Sequence, residues 1–297
     1  MFKNLVIFRL SPSWSPSLAI VEKNLEPLRF LECSPSQEKS VGWIAPRALG
    51  DGPLIEAVAG QWMLRLMVEV KAVPANVVRR MAEERAARIE ETEGRKPGRK
   101  EMKDLREETR ISLLPQAFSK RGAVWVWIDP KAHRLVLDAG SDSRADEVVS
   151  ALNKCIEGLG MVRVQTTQSP AVCMSTWLTE QEAPSGFTVD RETELKAHDD
   201  TQAVVRYSKH ALDIDEVRGH VQSGKVPTRL ALTWDERVSL VLTDKMQIKK
   251  IKFLEGVFDT DRTQDKDEQF DSDVAITTAE LGRLIPDLAE ALGGEMI

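Results

Sequence analysis

The sequence has little cysteine, and what it has builds no framework. Cys33, Cys155 and Cys173 are odd in number and far apart, which fits reduced thiols and not a disulfide scaffold. It lacks any apolar run near the roughly 18 residues of a membrane span, so no membrane partner is expected. The apolar run at residues 5–8 is too short for a signal peptide and is followed by Arg9 and two prolines. No export is expected, and the location implied is the cytoplasm. The four histidines, His133, His198, His210 and His220, stand apart from the cysteines and from one another, without metal-ligand spacing. Gly50-Asp51-Gly52-Pro53 lacks the helix and lysine that a phosphate-binding loop requires. No Gly-x-Ser-x-Gly elbow occurs. Asp129, Asp138 and Asp142 near Lys131 could be taken for the carboxylates of a metal-dependent nuclease. Asp129-Pro130-Lys131 is better explained as turn chemistry. The sequence therefore points to no enzyme, no catalytic residue, no metal and no cofactor.

What is present suits a folded protein of two or three units. Its 297 residues allow an ample core, and 42% hydrophobic with 30% charged content is ordinary globular composition. The net charge of −6 argues against a uniformly basic nucleic-acid binder, but charge is unevenly spread. Residues 77–121 hold 13 Lys/Arg against 9 Asp/Glu, and residues 204–253 hold 10 against 6. Residues 255–297 hold 3 against 12. Local patches decide nucleic-acid binding, and two basic segments with an acidic remainder leave that function open.

The first basic segment, residues 74–122, is the most unusual. Asn76 reads as an N-cap after Pro74, and Val78, Met81, Ala82 and Ile89 recur at helical spacing. Gly94, Pro97 and Gly98 break the run at a tip bearing Arg95, Lys96, Arg99 and Lys100. A second helix carries Met102 and Leu105 on its inner face and stops near Pro115. The pattern predicts a charged helical hairpin protruding from the body. The loop expected next places Phe118 beside Lys120 and Arg121, which suits base stacking with phosphate contact. The alternative is a core phenylalanine with two solvated cations. The second basic segment offers Lys209, His210, Lys225 and Arg229. Alternation there places Lys250 and Lys252 on one sheet face, opposite Ile251 and Phe253. Such cations can neutralise phosphates without reading bases; an ordinary solvated face is the alternative.

The remaining periodicities predict an α+β fold of short antiparallel sheets with flanking helices. Strands are expected at 4–10, 43–44, 62–68, 123–128, 134–138 and 162–165, with helices at 18–28, 144–156 and 171–178. Beyond a boundary at Ser185-Gly186, strands are expected at 204–207, 229–234, 238–243 and 247–254, with a helix at 215–222. Residues 259–273 read as an acidic surface loop. Residues 278–292 read as a final helix stopped by Gly293-Gly294. The division implied is a central α+β domain (1–75 and 123–184), a hairpin with finger loop (76–122) and a second α+β domain (185–297).

Several short motifs share one collinear order over essentially the whole chain. They include Met1-Phe2-Lys3-Asn4-Leu5, Gly42-Trp43, Leu113-Leu114-Pro115-Gln116-Ala117-Phe118-Ser119 and Trp127-Ile128-Asp129. Further on come Glu194-Leu195-Lys196-Ala197, Gly224-Lys225-Val226, Leu230-Ala231-Leu232-Thr233-Trp234 and Ala291-Leu292-Gly293-Gly294-Glu295. The ordered set resembles the RdgC family of bacterial recombination-associated proteins. The resemblance implies a ring-shaped homodimer that encircles duplex DNA with little sequence preference. It implies a nucleoid-associated protein that restrains RecA-promoted strand exchange; single-stranded DNA is a second candidate ligand. It also implies an aromatic-containing finger and an inner-surface Lys-Gln pair. Lys209 matches that lysine, whereas His210 stands in place of the glutamine. Phe118 matches a finger aromatic, whereas Arg121 replaces a second one. The DNA-binding candidates are therefore Phe118, Lys120, Arg121, Lys209, His210, Lys225 and Arg229. The competing function is a protein-interaction module that acts directly on a recombinase.

Overall fold

Runs of alternating buried and exposed residues build two antiparallel sheets in the computed structural model, which describes residues 1–47, 52–258 and 265–296. Strand β1 (Val6–Arg9) leads into helix α1 (Leu18–Leu25), which tightens into a 3-10 turn at Glu26–Leu28. Strands β2 (Lys39–Ile44), β3 (Ile55–Val58) and β4 (Gln61–Lys71) follow, then helices α2 (Ala75–Glu93) and α3 (Arg99–Leu113). A 3-10 turn at Leu114–Gln116 returns the chain to β5 (Ser119–Asp129). Strand β6 (Arg134–Leu137), helix α4 (Asp142–Cys155), strand β7 (Val162–Arg163) and helix α5 (Pro170–Glu180) complete this half. The first sheet runs β2-β4-β5-β6-β1-β7, with β3 also paired to β4.

The second half contains β8 (Phe187–Ala197), β9 (Val204–Ser208), α6 (Asp215–Gln222), β10 (Lys225–Trp234), β11 (Val238–Thr243), β12 (Ile248–Phe253) and α7 (Lys266–Ala291). Its strands are ordered β12-β11-β10-β8-β9. This is the α+β class that the periodicities predict.

Strand alternation divides the core. Val6 and Phe8 of β1 face one way, onto Leu64, Leu66, Val126 and the apolar stripes of α1 and α4. Ile7, between them, faces the other way with Met63, Trp127 and Val136. That side joins Leu230, Leu232, Leu240 and Leu242 of the second sheet, with Met174 of α5 and Leu281, Leu284 and Leu288 of α7. The halves also meet through the backbone. Leu5 donates to the Ile248 carbonyl at 2.7 Å, and Ile248 donates back at 3.1 Å. One apolar cluster thus spans residues on both sides of Ser185-Gly186.

Helices α2 and α3 occupy the connection of a β-hairpin. Strands β4 and β5 stay paired to their ends, where Lys71 lies opposite Ser119 and Val70 opposite Lys120. The sheet therefore closes beneath the insertion, and the inserted ends need no extra order to meet. The two helices are tied by Arg85, which donates to the Ser112 hydroxyl at 3.1 Å.

Three local expectations are corrected, and one strand is unanticipated. Asn76 does not cap α2; the cap position is Pro74, with no side-chain bond. Lys120 and Arg121 lie in β5 and not in a loop, because β4 offers them a complete pairing edge. Residues 187–197 form β8, which their charge concealed. Residues 266–273 belong to α7 and not to an acidic loop; residues 259–264 of that segment lie outside the described residues. Asp267 and Glu268 suit the positive end of the α7 dipole. Arg47 then anchors this turn, donating to the Asp271 carboxylate at 2.6 Å with its guanidinium 4.7 Å from the Phe270 ring.

Candidate nucleic-acid interface

The finger is shorter than expected. Between the 3-10 turn and β5 only Ala117 and Phe118 are left to change direction. The Phe118 carbonyl accepts the Ala72 amide at 3.2 Å, which fixes the backbone while the side chain stays 91% exposed. So large an exposed aromatic is not a core anchor. Lys120 beside it is exposed, across from Val70.

Arg121 has different surroundings. Its Nε donates to Glu69 at 3.1 Å, and its other end meets Glu32 at 2.7 Å. The Glu69 carboxylate also accepts the Cys33 amide at 2.7 Å. That backbone bond first, then the Ser119 hydroxyl and Arg121, hold the Glu69 pKa down at about 2 against the effect of burial. Arg121 is thus a clamp on the strand pair from which Phe118 rises.

On the second sheet, Lys209 follows β9 in a left-handed conformation, φ 57°. The turn is held by the His210 amide, which donates to the Arg191 carbonyl at 3.2 Å. The His210 ring bonds through Nδ1 to the Ala211 carbonyl at 2.8 Å and packs 5.7 Å from the Tyr207 ring. Lys225 opens β10, and its Nζ lies 3.3 Å from His220 Nδ1. Arg229 is exposed further along β10, between Glu194 and Thr243 in register.

The candidates therefore fall into two groups: Phe118, Lys120 and Arg121 on the first sheet, and Lys209, His210, Lys225 and Arg229 on the second. Lys3 and Arg191 line the same cavity as Lys209, Lys250 and Lys252. Lys3 and Arg191 carry no sequence signal, because chain crossings distant in sequence bring them there.

The three aspartates that suggested a nuclease are each engaged in structure. Asp129 accepts the Lys131 and Ala132 amides at 3.0 Å, the turn expected of it. Asp138 accepts the Asn4 amide at 2.8 Å, and Asp142 pairs with Arg163 at 2.7 Å. Among the described residues, no three His, Cys, Asp or Glu side chains gather as a metal site. None of the described helices is long and apolar enough to cross a membrane.

These features define an α+β protein of two antiparallel sheets joined by one core, with an exposed aromatic finger. A family model described as "RdgC: Putative exonuclease, RdgC" matches residues 1–295. The recombination-associated protein RdgC of Herminiimonas arsenicoxydans is 45% identical over 296 residues, covering 99% of this chain and 98% of the relative. That of Dechloromonas aromatica is 42% identical over 301 residues, covering 100% and 98%. That of Bordetella pertussis is 43% identical over 296 residues, covering 99% and 98%. The chain belongs to the RdgC family.

Proposed function

We propose that this chain is a sequence-independent DNA-binding protein of recombination, which closes as a ring-like homodimer on duplex DNA and restrains RecA-promoted strand exchange. Membership in a family whose relatives are named recombination-associated supports the setting. The observation that carries the reading is Phe118, 91% exposed next to the exposed Lys120. An aromatic face and a cation at one strand entrance suit stacking plus phosphate contact. Lys209, Lys225 and Arg229 supply further phosphate contacts on the second sheet, and His210 adds a ring. Arg121 serves by holding the finger. Nucleoid association follows from the same reading.

The test compares one long duplex in linear and covalently closed circular form at matched salt, followed by a high-salt challenge. Retention on circles with loss from linear ends is the expected result. Equal loss from both would remove encirclement.

The family's description supports a second reading, an exonuclease. End-labelled duplex incubated with Mg²⁺ and with Mn²⁺ separates the two. Shortened products that disappear in a preparation with altered carboxylates would favour the nuclease; intact DNA with both ions favours the binding protein.

A further inference from the structure

The outer face of the second sheet contains a trough whose chemistry goes beyond phosphate contact. The β10–β11 hairpin at its centre is regular, with Ala231 opposite Val241. The strand on each side bulges. Leu230 pairs with Thr193 and Leu232 with Val189, so Asp190, Arg191 and Glu192 together face Ala231. On the other edge Ser239 pairs with Lys252 and Val241 with Lys249, leaving Lys250 and Ile251 opposite Leu240. Lys250 takes φ 53° to make that turn. Bulges on both flanks lift the chain from the sheet at levels of the hairpin one residue apart.

The space between them is about 560 Å³. Ala231 and Val241 form its apolar floor, with Leu240 and Ile251, otherwise packed in the core, at its margin; Lys3, Arg191, Lys209, Lys250 and Lys252 contribute positive charge. Only Asp190 and Glu192 oppose them there. Asp190 accepts the Thr233 hydroxyl at 2.9 Å, and Glu192 accepts the Lys250 ammonium across the hairpin.

We propose that this trough docks an acidic peptide segment of a protein partner, one that presents an apolar side chain among its carboxylates. The apolar floor fits that side chain, for which a phosphate backbone offers no counterpart. Carboxylate chemistry is already present, since Glu192 occupies one lysine of the trough. A partner carboxylate exchanges with it, and the surplus cations receive the others. Charge complementarity brings the segment in, and the apolar contact fixes its register.

The test is fluorescence anisotropy with a labelled synthetic peptide, Glu-Asp-Asp-Leu-Phe, titrated with the full chain in the absence of DNA. Lys250 and Lys252 are the residues to change, because neither is among the proposed DNA contacts. A doubly substituted chain, Lys250→Ala with Lys252→Ala, is expected to bind the peptide at least tenfold more weakly at unchanged Tm. Replacing Leu and Phe of the peptide by Ser is expected to cost at least tenfold as well. Ser239→Arg, which fills the trough, is expected to abolish binding. Lack of binding by the unaltered chain up to millimolar concentration overturns the proposal, as does equal binding by the double variant. Displacement of the peptide by a ten-residue oligothymidylate whose own affinity falls in that variant assigns the trough to nucleic acid and overturns it too. Duplex affinity of a Phe118→Ser variant is measured separately, so failure here is distinct from failure of the DNA-binding reading.

Discussion

Replacing Glu69 by glutamine tests how the finger is held. Glu69 is 2% exposed on β4, opposite Arg121 on β5. Its carboxylate accepts the Cys33 amide at 2.7 Å and Arg121 Nε at 3.1 Å. Glutamine keeps the shape and one acceptor oxygen but loses the charge. It also turns an NH2 toward groups that are themselves donors. Hydrogen bonds to charged groups contribute about 1.5–3 kcal/mol each, and a retained oxygen recovers part of this, so the expected loss is ~2 kcal/mol at pH 7. Urea unfolding followed by circular dichroism measures it as a shift in midpoint at unchanged slope.

The pH dependence has a definite sign. The folded-state pKa is held at about 2, below the ordinary 4.5 of the unfolded chain, by the Cys33 amide, the Ser119 hydroxyl and Arg121. A depressed carboxylate stabilises the fold fully above about 4.5 and progressively less as pH falls towards 2. The gap between the unaltered chain and Glu69→Gln is therefore expected to be widest at pH 7 and to narrow at pH 3. Equal stability at pH 7, or a gap that stays constant between the two pH values, would refute this account of the clamp.

Three further outcomes follow from the same geometry. Gly42→Ala is expected to destabilise by more than ~2 kcal/mol in thermal melts, because its Cβ would lie 2.7 Å from the Phe30 amide nitrogen and closer still to the Phe30 Cα. An unchanged Tm would show that the Phe30 backbone yields. Phe118→Ser is expected to leave Tm unchanged, since the ring is 91% exposed, and to weaken DNA binding about tenfold, within the ~1–3 kcal/mol range for base stacking. Unchanged DNA affinity would remove the finger from the interface. Lys209→Ala and Lys209→Gly are expected to reduce the slope of log affinity against log salt equally, by ~0.9. Only the glycine variant is expected to gain stability, because Lys209 sits at φ 57°. A slope unchanged in both removes Lys209 from the phosphate contacts.

Short-range chemistry was legible in the sequence. Asp129-Pro130-Lys131 marks the β5–β6 hairpin, and Asp129 accepts the turn bonds expected there. The β10–β11 hairpin and helix α6 are also legible to within a few residues of their ends, because turn residues and period fix them locally. Strand β8 is not legible in the sequence. Phe187–Ala197 carries five charged residues, and its bulge breaks the alternation that would have marked it. The first turns of α7 were hidden by their acids, whose anchor, Arg47, is far away in sequence. For the finger, residue type alone marks Phe118, and the structure leaves its ring 91% exposed. Arg121 reads from the sequence as a cation available to phosphate, yet its partners Glu69 and Glu32 belong to other segments and nothing local marks them.

The same reasoning explains why the net charge of −6 says little about what the surface can bind. Many acids are committed within the chain. Glu280, 5% exposed, takes both Arg237 and Arg283, and Glu69 takes Arg121. Such pairs cancel over a few ångströms and project little field beyond the surface. Lys120, Lys209 and Lys252, by contrast, are exposed and make no ion pair with any described residue. Strand pairing and bulges decide which charges are consumed and which remain, and those are long-range properties of the fold. Composition therefore gives the total, whereas the field that a partner meets locally is set by where the topology leaves unmatched cations and unmatched acids.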